Sequence, residues 1–114
     1  HGAAAINNNG DLISVFEDIG RHNAVDKVIG SLVKNDFVDK SKKLIPNKTS
    51  ILVVSGRLSF EIVQKCAVAS IPVISSVSAP SSLAVDLANE LGITITSFVR
   101  SNGFNIYTHK ERIL

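Results

Sequence analysis

Three times in this chain an apolar, strand-like run passes through a short polar turn into an amphipathic helix, and that repetition restricts the fold more than any other feature. In the first unit Leu12, Ile13, Val15 and Phe16 with Ser14 form the run, and Ala24, Val25, Val28, Ile29, Leu32 and Val33 recur behind it at helical spacing. In the second, Ile51-Leu52-Val53-Val54 is continuously apolar, as strands buried on both faces are, and marks the sheet centre. It enters Ser55-Gly56-Arg57-Leu58-Ser59, where Ser59 is placed to cap a helix whose inner face is Ile62, Val63, Cys66, Ala67 and Ala69. In the third, Ile71-Pro72-Val73-Ile74 leads through Ser75-Ser76-Val77 to Ser78-Ala79-Pro80-Ser81-Ser82, a helix start. Ala84, Leu87, Ala88 and Leu91 line that helix and Gly92 stops it. The prediction is an α/β domain, a mixed β-sheet flanked by helices.

The remaining segments fit at the sheet margins. Asn9-Gly10 signals a hairpin joining Ala3 through Ile6 to Leu12 through Phe16. Ile93 through Val99 alternates as a strand, and Arg100-Ser101-Asn102-Gly103 turns it back into Phe104 through Tyr107. Lys34 to Lys48, with lysines at 34, 40, 42 and 43 and then Pro46, reads as a solvated helix end and loop. At 114 residues, 45% hydrophobic and 19% charged, the chain (1–114) makes one domain, burying roughly two-thirds of its unfolded surface. No apolar run approaches the ~20 residues of a membrane helix. With no signal pattern and one cysteine, we expect a soluble protein of a reducing compartment, the cytoplasm. A net charge of +2 and few aromatic side chains argue against a nucleic-acid partner. The chain opens at His1 and has no methionine, so a domain cut from a longer protein is expected.

The polar residues cluster at the turns. Glu17, Asp18, Arg21, His22 and Asn23 lie within seven residues, more chemistry than a strand-to-helix turn needs. Two readings stay open there: His22 hydrogen-bonded to Asp26 as part of a site, or an Asp18 cap, a Glu17–Arg21 pair and an idle His22. Arg57 either faces the same edge as Arg21 or pairs with Glu61. Cys66 sits in an apolar stripe and reads as a packed thiol rather than a nucleophile. Arg21, Arg57 and Arg100, the amides of Asn23 and Asn105, and three helix N-termini suit an anion with a planar base, such as a nucleotide. Glycines 20, 56 and 103 would let backbone approach it. Neither a Walker nor a dinucleotide glycine motif is present. The three histidines have no metal-ligand spacing, so no metal is expected.

Several of these blocks carry a resemblance. Glu17 through Lys27, Ser55-Gly56-Arg57-Leu58-Ser59-Phe60-Glu61, Ser78-Ala79-Pro80, and Phe98-Val99-Arg100 to Asn105-Ile106-Tyr107-Thr108 together resemble the C-terminal domain of the FdhD family. Those are sulfur-carrier accessory proteins required for formate dehydrogenase. The resemblance implies a cytidine deaminase-like architecture, but His-x-Glu and Pro-Cys-x-x-Cys are missing, so zinc chemistry would not come with it. For the intact protein it implies a sulfurtransferase that takes sulfur from a cysteine desulfurase as a persulfide and passes it to bis-molybdopterin guanine dinucleotide. The persulfide cysteine would lie upstream of this domain, leaving it without catalytic residues of its own. The family's cofactor-binding stretch falls on Phe98, Val99, Arg100, Ser101, Asn102 and Gly103; Arg21, His22, Asn23, Ser55, Gly56, Arg57 and Ser78 are the further candidates. GDP is the expected mimic, and His1 matches a family position of interest. The partners implied are formate dehydrogenase, the desulfurase and a second copy in a homodimer. A different class is also open: a non-catalytic dimerisation and docking module for formate dehydrogenase.

Overall fold

The computed structural model describes residues 1–7, 9–34, 50–100 and 103–112; for 21, 22, 33, 34, 98–100, 104 and 112 the description is of the backbone. Among the described residues six strands make one sheet: β1 (Gly2–Ile6), β2 (Leu12–Glu17), β3 (Ile51–Val54), β4 (Val73–Ser76), β5 (Thr94–Arg100) and β6 (Gly103–Ile106). Three helices connect them, α1 (Arg21–Lys34), α2 (Phe60–Val68) and α3 (Ser82–Leu91), and a short 3-10 turn covers Lys110–Arg112. The strand order is β2-β1-β3-β4-β5-β6. β1 runs antiparallel to both β2 and β3, β3 and β4 run parallel, β4 and β5 run parallel, and β6 returns antiparallel. The expected mixed α/β architecture is present.

Strand alternation divides the sheet into two unlike faces. Ala3, Ala5, Leu52, Val54, Ile74 and Ile95 share one core with Val25, Val28 and Leu32 of α1, Ile62, Val63 and Cys66 of α2, and Ala84 and Ala88 of α3. All three helices therefore lie on that face, as right-handed crossovers progressing in one direction across a sheet require. Each fully buried valine, leucine or isoleucine contributes about 1.5–3 kcal/mol of transfer free energy, so this layer dominates stability. The opposite face carries Ala4, Val15, Val53, Ser75 and Thr96, residues paired across the strands.

Local chemistry sets the element ends, and in places shifts them from the sequence reading. The β1–β2 hairpin is as expected, with Gly10 at positive φ (85°) and the Asn7 side chain accepting from the amides of Asn9 and Asp11, both at 2.9 Å. The pairs Ala5↔Ser14 and Ile6↔Leu12 leave Ile13 as an extra residue in β2. β4 starts at Val73 rather than at Ile71, because Ile71 belongs to the end of α2: its amide donates to Cys66 O (2.9 Å), while Ser70, at φ 57°, donates to Ala67 O (3.0 Å). That is a Schellman closure with serine where glycine is usual. Gly92 closes α3 in the left-handed conformation, as expected. Ser81 caps α3 through the Ala84 amide (3.1 Å). Ser59 occupies the N-cap position of α2, but its hydroxyl makes no capping bond, which corrects that assignment. The loop reading for lysines 40, 42 and 43 and Pro46 lies outside the described residues.

Candidate functional site

Because β2, β3, β4 and β5 all point the same way, the turns that follow them emerge at one edge of the sheet. The start of β1 and of β6 reach the same edge. Topology thus brings the Asp18-Ile19-Gly20 turn with Arg21, His22 and Asn23, the Ser55-Gly56-Arg57 turn, the turn containing Ser78, and the Phe98–Arg100 end of β5 with Gly103 to one side of the molecule. Ser101 and Asn102 lie outside the described residues. Carboxyl edges of this kind are where α/β sheets bind ligands.

The turns form a row along the edge, not a ring around a single pocket. Four strand positions separate β2 from β5, about 19 Å at the spacing of neighbouring strands. One phosphate cannot meet both the β2 turn and the β5 end. Only a ligand as long as a dinucleotide could touch both.

Each turn is wired differently. In the first, the Asp18 carboxylate pairs with Lys27 Nζ at 2.7 Å and accepts the Gly20 amide at 3.1 Å. Its hydrogen bond from Lys27, helped by the Gly20 amide, the positive charge of Lys27 and the Asn23 side chain, lowers its pKa to about 2. Asn23 thereby serves the turn itself: its amide nitrogen lies 3.4 Å from where a Gly20 Cβ would be. The backbone at His1 is tied in as well, His1 N donating to Asp18 O at 2.8 Å and Asp18 N to His1 O at 2.9 Å. Asp26 pairs with Lys65 of α2 at 2.8 Å; its reading as a partner for His22 involves a side chain outside those described. Ile19, at the turn's tip, is 97% exposed.

The second and third turns are built as one unit. Ser76, which the sequence reading passed over, is the link: its hydroxyl donates to Gly56 O at 2.7 Å and accepts the Ser78 amide at 3.0 Å. Leu58 pairs with Pro80 in an isolated parallel bridge, and the Ser81 amide donates to Leu58 O at 2.9 Å. The N-termini of α2 and α3 consequently lie side by side at the same edge, where helix dipoles are positive. The signal for Ser76 was its place in a hydroxyl run, Ser75-Ser76-Val77-Ser78. Ser55 Oγ accepts the Gly2 amide at 2.7 Å, anchoring β1, and Arg57 is exposed.

At the last element of the row, Ser97 directly precedes the candidate stretch. Ser97 is fully buried, and among the described residues its hydroxyl, like those of Ser50 and Ser59, has no hydrogen-bond partner. Buried unpaired hydroxyls are uncommon and cost about 1–3 kcal/mol each. Gly103, paired with Arg100, sits at φ 150°, a backbone that glycine tolerates best. Cys66 is fully buried, far along α2 from its N-terminus, and burial pushes its thiol pKa up, as expected for a packed thiol. No helix among the described residues is long and apolar enough to cross a membrane.

A six-stranded mixed sheet with its connecting helices on one face and a hydroxyl-lined carboxyl edge defines a domain of α/β class. The comparisons with known proteins place it more narrowly. All of residues 1–114 match the model of the FdhD/NarQ family, and the chain belongs to that family. It is 51% identical over 113 residues to the sulfur carrier protein FdhD of Sulfolobus acidocaldarius, and 53% identical over 114 residues to that of Picrophilus torridus. The matches cover 99% and 100% of this chain but 42% and 41% of those relatives. The crystal structure of a candidate formate dehydrogenase accessory protein from Desulfotalea psychrophila superposes with a TM-score of 0.83 at 39% identity, covering 99% of this chain and 47% of that one. The chain thus spans less than half the length of the relatives it matches.

Proposed function

We propose that this domain is the cofactor-holding part of a sulfur carrier that serves formate dehydrogenase. Its role is to hold the guanine nucleotide end of bis-molybdopterin guanine dinucleotide along the carboxyl edge of the sheet. The observation that supports this best is the side-by-side arrangement of the α2 and α3 N-termini next to the β5 end that carries Arg100. The orphaned hydroxyls of Ser59 and Ser97 fit a polar ligand there, and the length of the edge fits a dinucleotide better than a single phosphate. On this reading Ser55, Gly56, Arg57 and Ser78 hold phosphate, Phe98 through Gly103 hold the base and ribose, and Arg21, His22 and Asn23 meet the far end. The cofactor would supply the molybdenum that receives sulfur. These residues would bind and orient it, with arginine forming charge-assisted bonds worth about 1.5–3 kcal/mol each. In the intact protein a cysteine outside these 114 residues would carry sulfur as a persulfide from a cysteine desulfurase; buried Cys66 does not. We place the architecture with the cytidine deaminases in layout, without their zinc, and the protein in the cytoplasm as a homodimer.

Titration calorimetry of GDP and ADP at two salt concentrations tests this reading. Guanine-selective, salt-sensitive binding is expected, and equal or absent binding of both nucleotides by a full-length relative would overturn it. Ile19, exposed at the tip of the first turn, favours a second role for that end of the edge, docking onto formate dehydrogenase. Loss of dehydrogenase pull-down in Ile19→Asp, with nucleotide affinity unchanged, is the outcome that role predicts.

A further inference from the structure

On the face of the sheet turned away from the helices, Val73, Thr94 and Thr96 of β4 and β5 are buried, whereas the part over β2, β1 and β3 is apolar and open among the described residues. Leu12, Val15 and Val77 are 62%, 52% and 49% exposed, and Ala4, Ile51 and Val53 beside them are only half-buried. Between Ala4, Val15, Val53 and Val77 lies a hollow of about 250 Å³, with Glu17 and Ser55 among its lining at the carboxyl edge. Parallel strands are ordinarily covered on both faces, and β3, β4 and β5 are parallel. The run Ile51-Leu52-Val53-Val54 has the composition of a strand so covered, yet Ile51 and Val53 are covered only in part. A contiguous apolar patch of this kind marks a contact surface.

The family comparison indicates what occupies it. These 114 residues account for 42%, 41% and 47% of the lengths of three relatives, so more than half of each lies elsewhere. We propose that the open face is the seat of an amphipathic segment from that remaining length of the full-length protein, its apolar side filling the hollow. Seated there, the segment completes a second layer over β2, β1 and β3. It also brings the rest of the protein against Glu17 and Ser55, directly under the candidate binding edge. The inference stands independently of which ligand that edge holds.

Thiol labelling resolved peptide by peptide by mass spectrometry tests it, with Val15→Cys and Val77→Cys made in this 114-residue chain and at the matching positions of the full-length Picrophilus torridus relative. Gln64→Cys, on the exposed side of α2, reports on general accessibility. We expect both face positions to label rapidly in the 114-residue chain and at least tenfold more slowly in the full-length protein, with the Gln64 position unchanged. Equal rates in the two proteins would overturn the proposal. So would protection already present in the 114-residue chain that disappears on dilution, because the occupant would then be a second copy.

Discussion

The hydroxyl of Ser76, 1% exposed, donates to the carbonyl of Gly56 at 2.7 Å, so the turn after β4 holds the turn after β3. The same oxygen accepts the Ser78 amide. One side chain therefore sets the spacing of the α2 and α3 N-termini.

Removing it strands two backbone groups. Ser76→Ala is expected to destabilise the domain by about 1–3 kcal/mol, the cost of unpaired buried polar groups. Urea denaturation should show the midpoint falling with the slope unchanged. An effect no larger than that of Ser75→Ala, which breaks the Ser75–Thr96 hydroxyl contact on the face away from the helices, would deny Ser76 its linking role.

Asp18 makes stability depend on pH in a definite direction. Its folded pKa, about 2, lies below the ordinary 3.8, so the charged form stabilises the fold above pH 4. That contribution is lost as pH falls from 4 towards 2. Asp18→Asn should lower the melting temperature at pH 7, and the difference from the parent should shrink towards pH 2. Lys27→Met should reproduce most of the effect, since Lys27 is the largest cause of the shift.

Cys66 should behave as a core residue. Labelling by a thiol reagent at neutral pH should be slow in the folded protein and become fast only in denaturant. Cys66→Ala should cost less than Cys66→Asp, since the latter buries a carboxyl among Ile62, Val63 and Ile71. Rapid labelling of the native chain would show the α2 stripe to be open.

For the binding edge, Arg100→Ala should weaken guanine nucleotide binding at least tenfold, about 1.4 kcal/mol or more. Arg21→Ala should have a smaller effect on GDP, because the β2 turn lies four strand positions from β5. Calorimetry of the two variants, with melting curves to confirm folding, distinguishes them. Equal losses would place the nucleotide across the whole edge.

Much of the fold was legible because it rests on local chemistry. Continuous apolar runs, helical stripes, the Asn-Gly hairpin and the Gly92 stop are short-range signals, and the elements they predict are present. The packed state of Cys66 was legible for the same reason, from its place in a stripe. The start of β4 was not, because Ile71 alternates like a strand residue while its amide is used to close α2. Ser59 occupies the cap position without making the cap bond.

The sequence by itself determined which chemical groups this protein owns: turns rich in hydroxyls and arginine, a lone apolar thiol, and strands of the α/β kind. Tertiary structure decided how those groups are shared. Strand order spreads the turns in a row about 19 Å long. It also gives Asp26 to Lys65 and Asn23 to Asp18, and sets Ser76 as the link between two turns. Among the described residues it sets the three helices on one face and leaves an exposed apolar patch of Leu12, Val15 and Val77 on the other. These depend on which strands become neighbours and on which face the crossovers pass, long-range choices that no local window of residues encodes.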